Sequence, residues 1–198
     1  MRLSPLDAQP LPPAPAARAT AQARFDEGEA FLAQHKWDEA HAAFRAAVEK
    51  DPEMSEAWCV IGMVEMQKNG EKPCEAAHDP LQRCVELDPK NAKAHYGLGR
   101  VLLQVRADDA RAEEHYRATA QLDPKNAYVH RDLAGIFRKR CDLDGAIREM
   151  LEYVRKGDPD GDGEATLKQL RVRKKANPES QARLPLPVAR APPQRSTS

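Results

Sequence analysis

Residues 88–126 read DPKNAKAHYGLGRVLLQVRADDARAEEHYRATAQLDPKN. An Asp-Pro opens the stretch at Asp88-Pro89, and another closes it 35 residues later at Asp123-Pro124. Outward in both directions the dipeptide returns, at Asp51-Pro52 and Asp158-Pro159, so the four marks are spaced 37, 35 and 35 residues apart. A period in this range marks stacked units, each too small to bury its own apolar face. Each proline closes a helix, because it cannot continue the backbone ladder from within.

Composition agrees with helices. Charged residues make up 31% of the chain and aromatics only 5%, with Ala abundant and Gly scarce, which suits helices rather than sheets. No apolar run approaches the roughly 18 residues of a membrane span. Met1 to Ala23 has no continuous apolar core, which argues against a secretory signal. Arg2, Arg18 and Arg24 against Asp7 leave an organellar transit peptide as the alternative to a cytoplasmic location. Net charge is zero but unevenly spread. Arg24 to Glu56 holds four basic and nine acidic residues, and Glu164 to the end holds eight basic and two acidic, so the chain is electrically polar along its length.

Aligned on the Asp-Pro marks, the units share a pattern. The first carries Gly28, Phe31, Ala40, Phe44 and Pro52, and the second Trp58, Ile61, Gly62, Ala77, Leu81 and Pro89. The third carries Leu98, Gly99, Leu102, Ala112, Tyr116 and Pro124, and the fourth Leu133, Ala134, Phe137, Ala146, Met150 and Pro159. This pattern resembles the tetratricopeptide repeat family in four in-phase units over about 140 residues. The resemblance implies an all-α solenoid of antiparallel helix pairs, a right-handed superhelix closed by a C-terminal capping helix. Small residues at the Gly and Ala positions would let helices approach closely. The aromatic and aliphatic positions would fill the core.

The reading predicts helices over 20–34, 38–50, 55–68, 74–87, 92–105, 109–121, 126–139 and 143–156. Ser55, Asn91 and Asn126 stand ready as caps. A ninth helix over 164–176 buries Leu167 and Leu170 and turns Lys168, Arg171, Arg173, Lys174 and Lys175 to water. The repeats then run about 21–54, 55–91, 92–126 and 127–161 within an ordered 20–177. Pro-rich segments at 1–19 and 178–198 are expected to be disordered. The second repeat is over length by three residues, around the turn Asn69 to Pro73, and Pro80 falls inside its second helix. That helix either kinks, or starts late with Asp79 as cap and Pro80 at its first position.

Family geometry implies that the first helix of each pair lines a concave, peptide-binding face. The residues carried there are Phe25, Glu29 and Leu32; Cys59, Met63, Met66 and Gln67; Lys93, Tyr96, Arg100, Leu103 and Gln104; and Tyr128, Arg131, Arg138 and Lys139. One end is apolar with adaptable methionines and the other basic with tyrosines, which suits a protein or peptide partner with apolar anchors and an acidic end. The alternative puts Met63, Met66 and Leu103 in the inter-helix core and leaves Arg131, Arg138 and Lys139 as solvated charges. The family's clamp for chaperone C-terminal carboxylates does not fit. Its positions hold Phe25, Glu29, Val60, Lys93 and Gly97, of which only Lys93 matches.

Asp158, Asp160 and Asp162, followed by Gly163, resemble the start of an EF-hand calcium loop. The bidentate position is Gln169 instead of Glu, so the competing reading is an acidic turn capping the last helix. Residues 171–175 form a basic run without interleaved aromatics, which argues against nucleic acid and for a solvated face. The four cysteines, Cys59, Cys74, Cys84 and Cys141, show no C-x-x-C spacing and are expected as reduced thiols, with Cys59 and Cys84 as small core residues. The histidines are scattered. His95 and His130 stand where Trp58 stands one and two repeats earlier, as packing residues. No nucleophile motif, phosphate loop or HExxH appears. The chain therefore reads as a non-catalytic adaptor or scaffold that needs no cofactor; the alternatives are a calcium-responsive structural element at the Asp158–Asp162 turn, or an assembly subunit whose basic C-terminal tail contacts nucleic acid or an acidic surface.

Overall fold

The structure, a computed structural model, describes residues 14–176. Its α-helices are α1 (Pro15–Ala33), α2 (Trp37–Lys50), α3 (Ser55–Lys68), α4 (His78–Leu87), α5 (Ala92–Gln104), α6 (Asp109–Leu122), α7 (Tyr128–Lys139), α8 (Leu143–Arg155) and α9 (Gly163–Ala176). A single 3-10 turn, Glu75–Ala77, precedes α4. No strand occurs among the described residues. The fold is an all-α helical repeat. Two compact units divide it, one up to Val129 and one from His130 onward.

In the first unit α1 packs on α2, α3 on α4 and α5 on α6, and α2 and α4 also pack on the helices that follow them. Most of the core is the one the repeat pattern predicts, although Phe31 and Trp58 are only partly buried against it. Ala40, Phe44, Leu81, Leu98, Ala112 and Tyr116 are fully buried. Close approach is what the glycines supply. A Cβ on Gly28 would sit 2.7 Å from the Phe44 ring, and one on Gly99 would sit 2.7 Å from the Tyr116 ring. In the second unit Ala134, Ala146, Met150, Leu167 and Leu170 are buried, and α9 packs on α8.

Each of the first three Asp-Pro marks does the same local work. The backbone N–H of Asp51, Asp88 and Asp123 closes the preceding helix on the carbonyls of Ala47, Cys84 and Thr119 at 2.8–2.9 Å. Their carboxylates accept from the N–H two residues on, at Glu53, Lys90 and Lys125. This is an Asx-turn, which folds the chain back where proline has stopped the helix. The fourth mark is different, with Asp158 in the left-handed region at φ 45° after Gly157 at φ 113°.

Several local expectations change. Helix α1 begins at Pro15, earlier than 20, with the proline at its first position, where its missing N–H costs nothing. Pro5, Pro10, Pro12 and Pro13, and the segment from 177 on, lie outside the described residues. Ser55 is the first residue of α3 and makes no cap, since Met54 takes that place. Asn91 does cap α5, its side chain accepting from Ala94 N at 3.0 Å, and Asn126 accepts from Val129 N at 3.4 Å. Helix α4 starts at His78, four residues later than expected, with no side-chain cap from Asp79. Pro80 sits in its first turn, where no intrahelical donor is required, so no kink is needed.

Candidate functional site

A cavity of about 220 Å³ opens in the first unit. Met63 and Met66 on α3 form one wall, and Tyr96, Gly97 and Arg100 on α5 form the other, with Lys93 at the start of α5. Asn126 and Asp123, from the turn after α6, close one side. Of the groove positions, Met63, Met66, Lys93, Tyr96 and Arg100 come together here. By sequence, Asp123 and Asn126 are only repeat-end and cap residues. Their second role depends on how that turn lies against α5, which no local pattern encodes.

Gly97 keeps the cavity from filling. A Cβ there would lie 3.1 Å from Leu81 and 3.4 Å from the terminal methyl of Met66, tighter than ordinary packing. The methionines are partly exposed and flexible, which suits a wall that adapts to different apolar side chains. Lys93 is exposed, so a cation stands at the edge of an apolar recess.

The long second-repeat turn braces this wall. Asn69 Nδ2 donates to the carbonyls of Lys72 and Pro73, which folds the insertion onto itself. Arg100 Nη2 then donates to the carbonyl of Glu71 at 2.9 Å. Arg106 pairs with Glu75 just beyond it. The three extra residues therefore fix the guanidinium of one cavity residue. On the neighbouring helix pair Lys68 meets Asp38 at 2.8 Å and His41 meets Glu65 at 2.9 Å, tying α2 to α3. Burial holds the His41 imidazole below its ordinary value.

Other expected groove residues lie differently. Phe25 packs edge-on against Phe44, with centroids 5.2 Å apart, and so contributes to the first core cluster, as does Leu32. Glu29 is exposed and Leu103 half-buried. Cys59 is buried and bonded to Cys84 in a disulfide with Cα atoms 5.0 Å apart. This corrects the expectation of reduced thiols at both positions: the two helices of the second repeat approach closely enough for the sulfurs to bond. Cys74 and Cys141 are free. Tyr128 is exposed at the start of α7. In the second unit Arg138 and Lys139 are exposed and Arg131 is half-buried.

The acidic turn also belongs to the second unit. Both carboxylate oxygens of Asp158 accept from Gly163 N, at 3.0 and 3.1 Å, at the start of α9. Asp160 pairs with Arg131, and its N–H donates to the Tyr153 hydroxyl at 3.1 Å. The carbonyl of Asp162 accepts from Thr166 N at 3.0 Å. Among the described residues no group of three or more His, Cys, Asp or Glu is arranged to hold a metal ion. On α9, Lys168, Arg171, Arg173 and Lys175 are exposed, while Lys174 pairs with Asp144 of α8. No helix among the described residues is long and apolar enough to cross a membrane.

Two histidines face each other behind the cavity helix. His95 Nε2 lies 3.1 Å from the carbonyl of Pro89, and its Nδ1 lies 2.9 Å from Nδ1 of His115. A carbonyl only accepts, so Nε2 of His95 carries the proton and the Nδ1 of His115 donates to the bare Nδ1 of His95. Burial, then the neighbouring His95 and Arg111, pushes the His115 imidazole down to about 4.

A peroxisomal targeting signal receptor from Komagataella phaffii (strain GS115 / ATCC 20864) is 44% identical over 59 residues, 30% of this chain and 10% of that protein. The chain thus spans about a tenth of the curated relatives it matches. Among solved structures, YrrB, described as a TPR protein with an unusual peptide-binding site, superposes with a TM-score of 0.68 at 15% identity, covering 84% of this chain and 89% of that one. A Thermobaculum terrenum O-GlcNAc transferase mutant superposes at 0.56 and 21% identity over 72% of this chain and 27% of that one. At these identities the likeness is one of fold. The family model for the tetratricopeptide repeat matches residues 25–73, 74–127 and 107–162. With four in-phase repeat signatures, the packed helix pairs and that match together, the chain belongs to the tetratricopeptide repeat family.

Proposed function

We propose that this chain is a non-catalytic adaptor that captures an extended peptide. An apolar side chain of the partner seats between Met63, Met66 and Tyr96, and a carboxylate on the same peptide meets Lys93. The observation that carries the reading is the cavity of about 220 Å³ with an apolar wall and a cation at its edge. Burying an apolar anchor supplies affinity, and the charge-assisted contact supplies orientation. The relatives named as targeting signal receptors, and the neighbour described with a peptide-binding site, support peptide capture. Chaperone carboxylate tails fit poorly, because Phe25, Glu29, Val60 and Gly97 stand where that clamp needs asparagine or basic side chains. A cytoplasmic site of action is part of the same reading.

Fluorescence anisotropy with a labelled peptide carrying one Leu and an adjacent pair of Glu residues tests it. The reading expects saturable binding that Lys93→Glu weakens by about tenfold, in line with a lost charge-assisted contact. It also expects loss on changing the two Glu to Lys. Equal affinity of Lys93→Glu and the parent overturns the assigned orientation. A pull-down with Arg131→Glu plus Arg138→Glu asks whether the basic positions of the second unit also contribute, and unchanged retention removes them from the site.

A further inference from the structure

The disulfide between Cys59 on α3 and Cys84 on α4 is not something the repeat fold demands. Three residues before each family glycine or alanine, and seven after each second-helix alanine, the other repeats hold Phe25 with Ala47, Tyr96 with Thr119 and Arg131 with Tyr153. Those repeats close without a covalent bond. The second is the exception, and it is the repeat that supplies Met63 and Met66 to the cavity.

A short chain of contacts links the bond to the opposite wall. The sulfur of Cys59 accepts from Asn91 Nδ2 at 3.4 Å. Asn91 Oδ1 in turn accepts from Ala94 N at 3.0 Å and caps α5. The next two residues, Ala92 and Lys93, line the cavity. One asparagine therefore reads the position of the half-cystine and sets the first turn of the helix that presents Lys93.

We propose that Cys59–Cys84 is a thiol–disulfide control point for the cavity: the oxidised chain holds the start of α5 and Lys93 in the capturing position, and the reduced chain releases them. The peptide half of this inference rests on the function proposed above, whereas the coupling from the bond to α5 does not. In the reduction, a thiolate of a dithiol reductant attacks one sulfur of the pair, the S–S bond breaks, and a mixed disulfide forms. The reductant's second thiol then closes its own disulfide. Two electrons and two protons pass to the protein, leaving Cys59 and Cys84 as thiols.

Two thiols do not fit where one bond was. A bonded sulfur pair is about 2.05 Å apart, and a van der Waals contact needs roughly 3.5–4 Å. Both half-cystines are buried, Cys59 at 4% and Cys84 at 0% exposure, in close-packed surroundings. At least one sulfur must therefore move; the fully buried Cys84 has less room than Cys59, so the movement falls on Cys59 and Asn91 loses its fixed acceptor. The same burial means that the reductant gains access only when α3 and α4 open locally, so the change is slow.

The test uses the full chain, untreated, after dithiothreitol, and as the Cys59→Ser, Cys84→Ser double variant. Iodoacetamide under denaturing, non-reducing conditions should add two groups to the untreated chain, at Cys74 and Cys141, and four to the reduced one. Amide hydrogen exchange at residues 92–94 should quicken on reduction and in the double variant. Affinity for the Leu-Glu-Glu peptide should fall about fivefold, the size expected for a weakened helix cap. Four groups on the untreated chain overturn the proposal, because the bond is then absent. Equal exchange and equal affinity in both redox states also overturn it, leaving a structural staple. If neither state binds the peptide while exchange at 92–94 still responds, the coupling stands and the peptide reading fails.

Discussion

Trp58 and His95, one repeat apart, make the same hydrogen bond. Nε1 of Trp58 donates to the carbonyl of Pro52 at 2.9 Å, and Nε2 of His95 reaches the carbonyl of Pro89 at 3.1 Å. Each ties the first helix of a repeat to the Asp-Pro turn that precedes it. By sequence, His95 is a packing residue in the tryptophan position. The structure adds the polar half of that equivalence, an N–H aimed at a proline carbonyl.

Trp58→Phe keeps most of the ring and removes the donor. It should cost about 1 kcal/mol, the usual net worth of a protein hydrogen bond. His95→Phe should cost more than Trp58→Phe, since it also leaves His115 without its partner. Urea denaturation of the three proteins checks the order, and a larger loss in Trp58→Phe contradicts the account.

Left-handed residues close several helix pairs. His35, Ala107 and Cys141 have φ of 57°, 53° and 62°. The chain then wraps back, with Lys36 N on the carbonyl of Phe31 at 3.0 Å and Asp142 N on that of Phe137 at 2.9 Å. A Cβ in this region costs roughly 1–2 kcal/mol relative to glycine. Ala107→Gly should therefore raise stability by up to ~1 kcal/mol after the entropy of a freer unfolded chain is subtracted. A lowered thermal midpoint would count against it.

Caps should separate real from apparent. Asp142 Oδ1 accepts from Gly145 N at 2.8 Å, and Asn91 Oδ1 from Ala94 N at 3.0 Å. Asp142→Ala and Asn91→Ala should each cost about 1 kcal/mol. Ser55→Ala should change stability by less than about 0.5 kcal/mol, because Ser55 lies inside α3 and caps nothing. Equal losses at Ser55 and Asn91 would contradict the assigned helix start.

His115 makes stability depend on pH. Its folded value is about 4, below the ordinary 6.5, so between these two the unfolded chain binds the proton and the folded chain does not. Its contribution is therefore complete above about 6.5, falls as pH drops toward 4, and is spent below that. The imidazole is only partly buried, so solvent screening reduces the effect to on the order of 1 kcal/mol. Urea midpoints at pH 7.5 and 5 should differ in the parent and differ less in His115→Gln. An identical pH response in the two proteins rules this origin out.

The sequence by itself determined the repeat, the helix pairs and most of the core. Those features are set within a single repeat: Gly99 and Tyr116, 17 residues apart, hold fixed places on the two helices of one pair, and the Asp-Pro marks follow the helix ends at Lys50, Leu87 and Leu122. It also brought Met63, Met66, Lys93, Tyr96 and Arg100 onto one surface, through a resemblance that carries helix orientation with it. Tertiary structure alone decided the rest. Cys59 and Cys84 are 25 residues apart, and Arg100 and the carbonyl of Glu71 are 29 apart. Whether such pairs meet depends on small rotations and translations of one helix against the next. Periodicity specifies which face of a helix is buried, but it leaves free the ångström that turns two small core residues into a covalent bond.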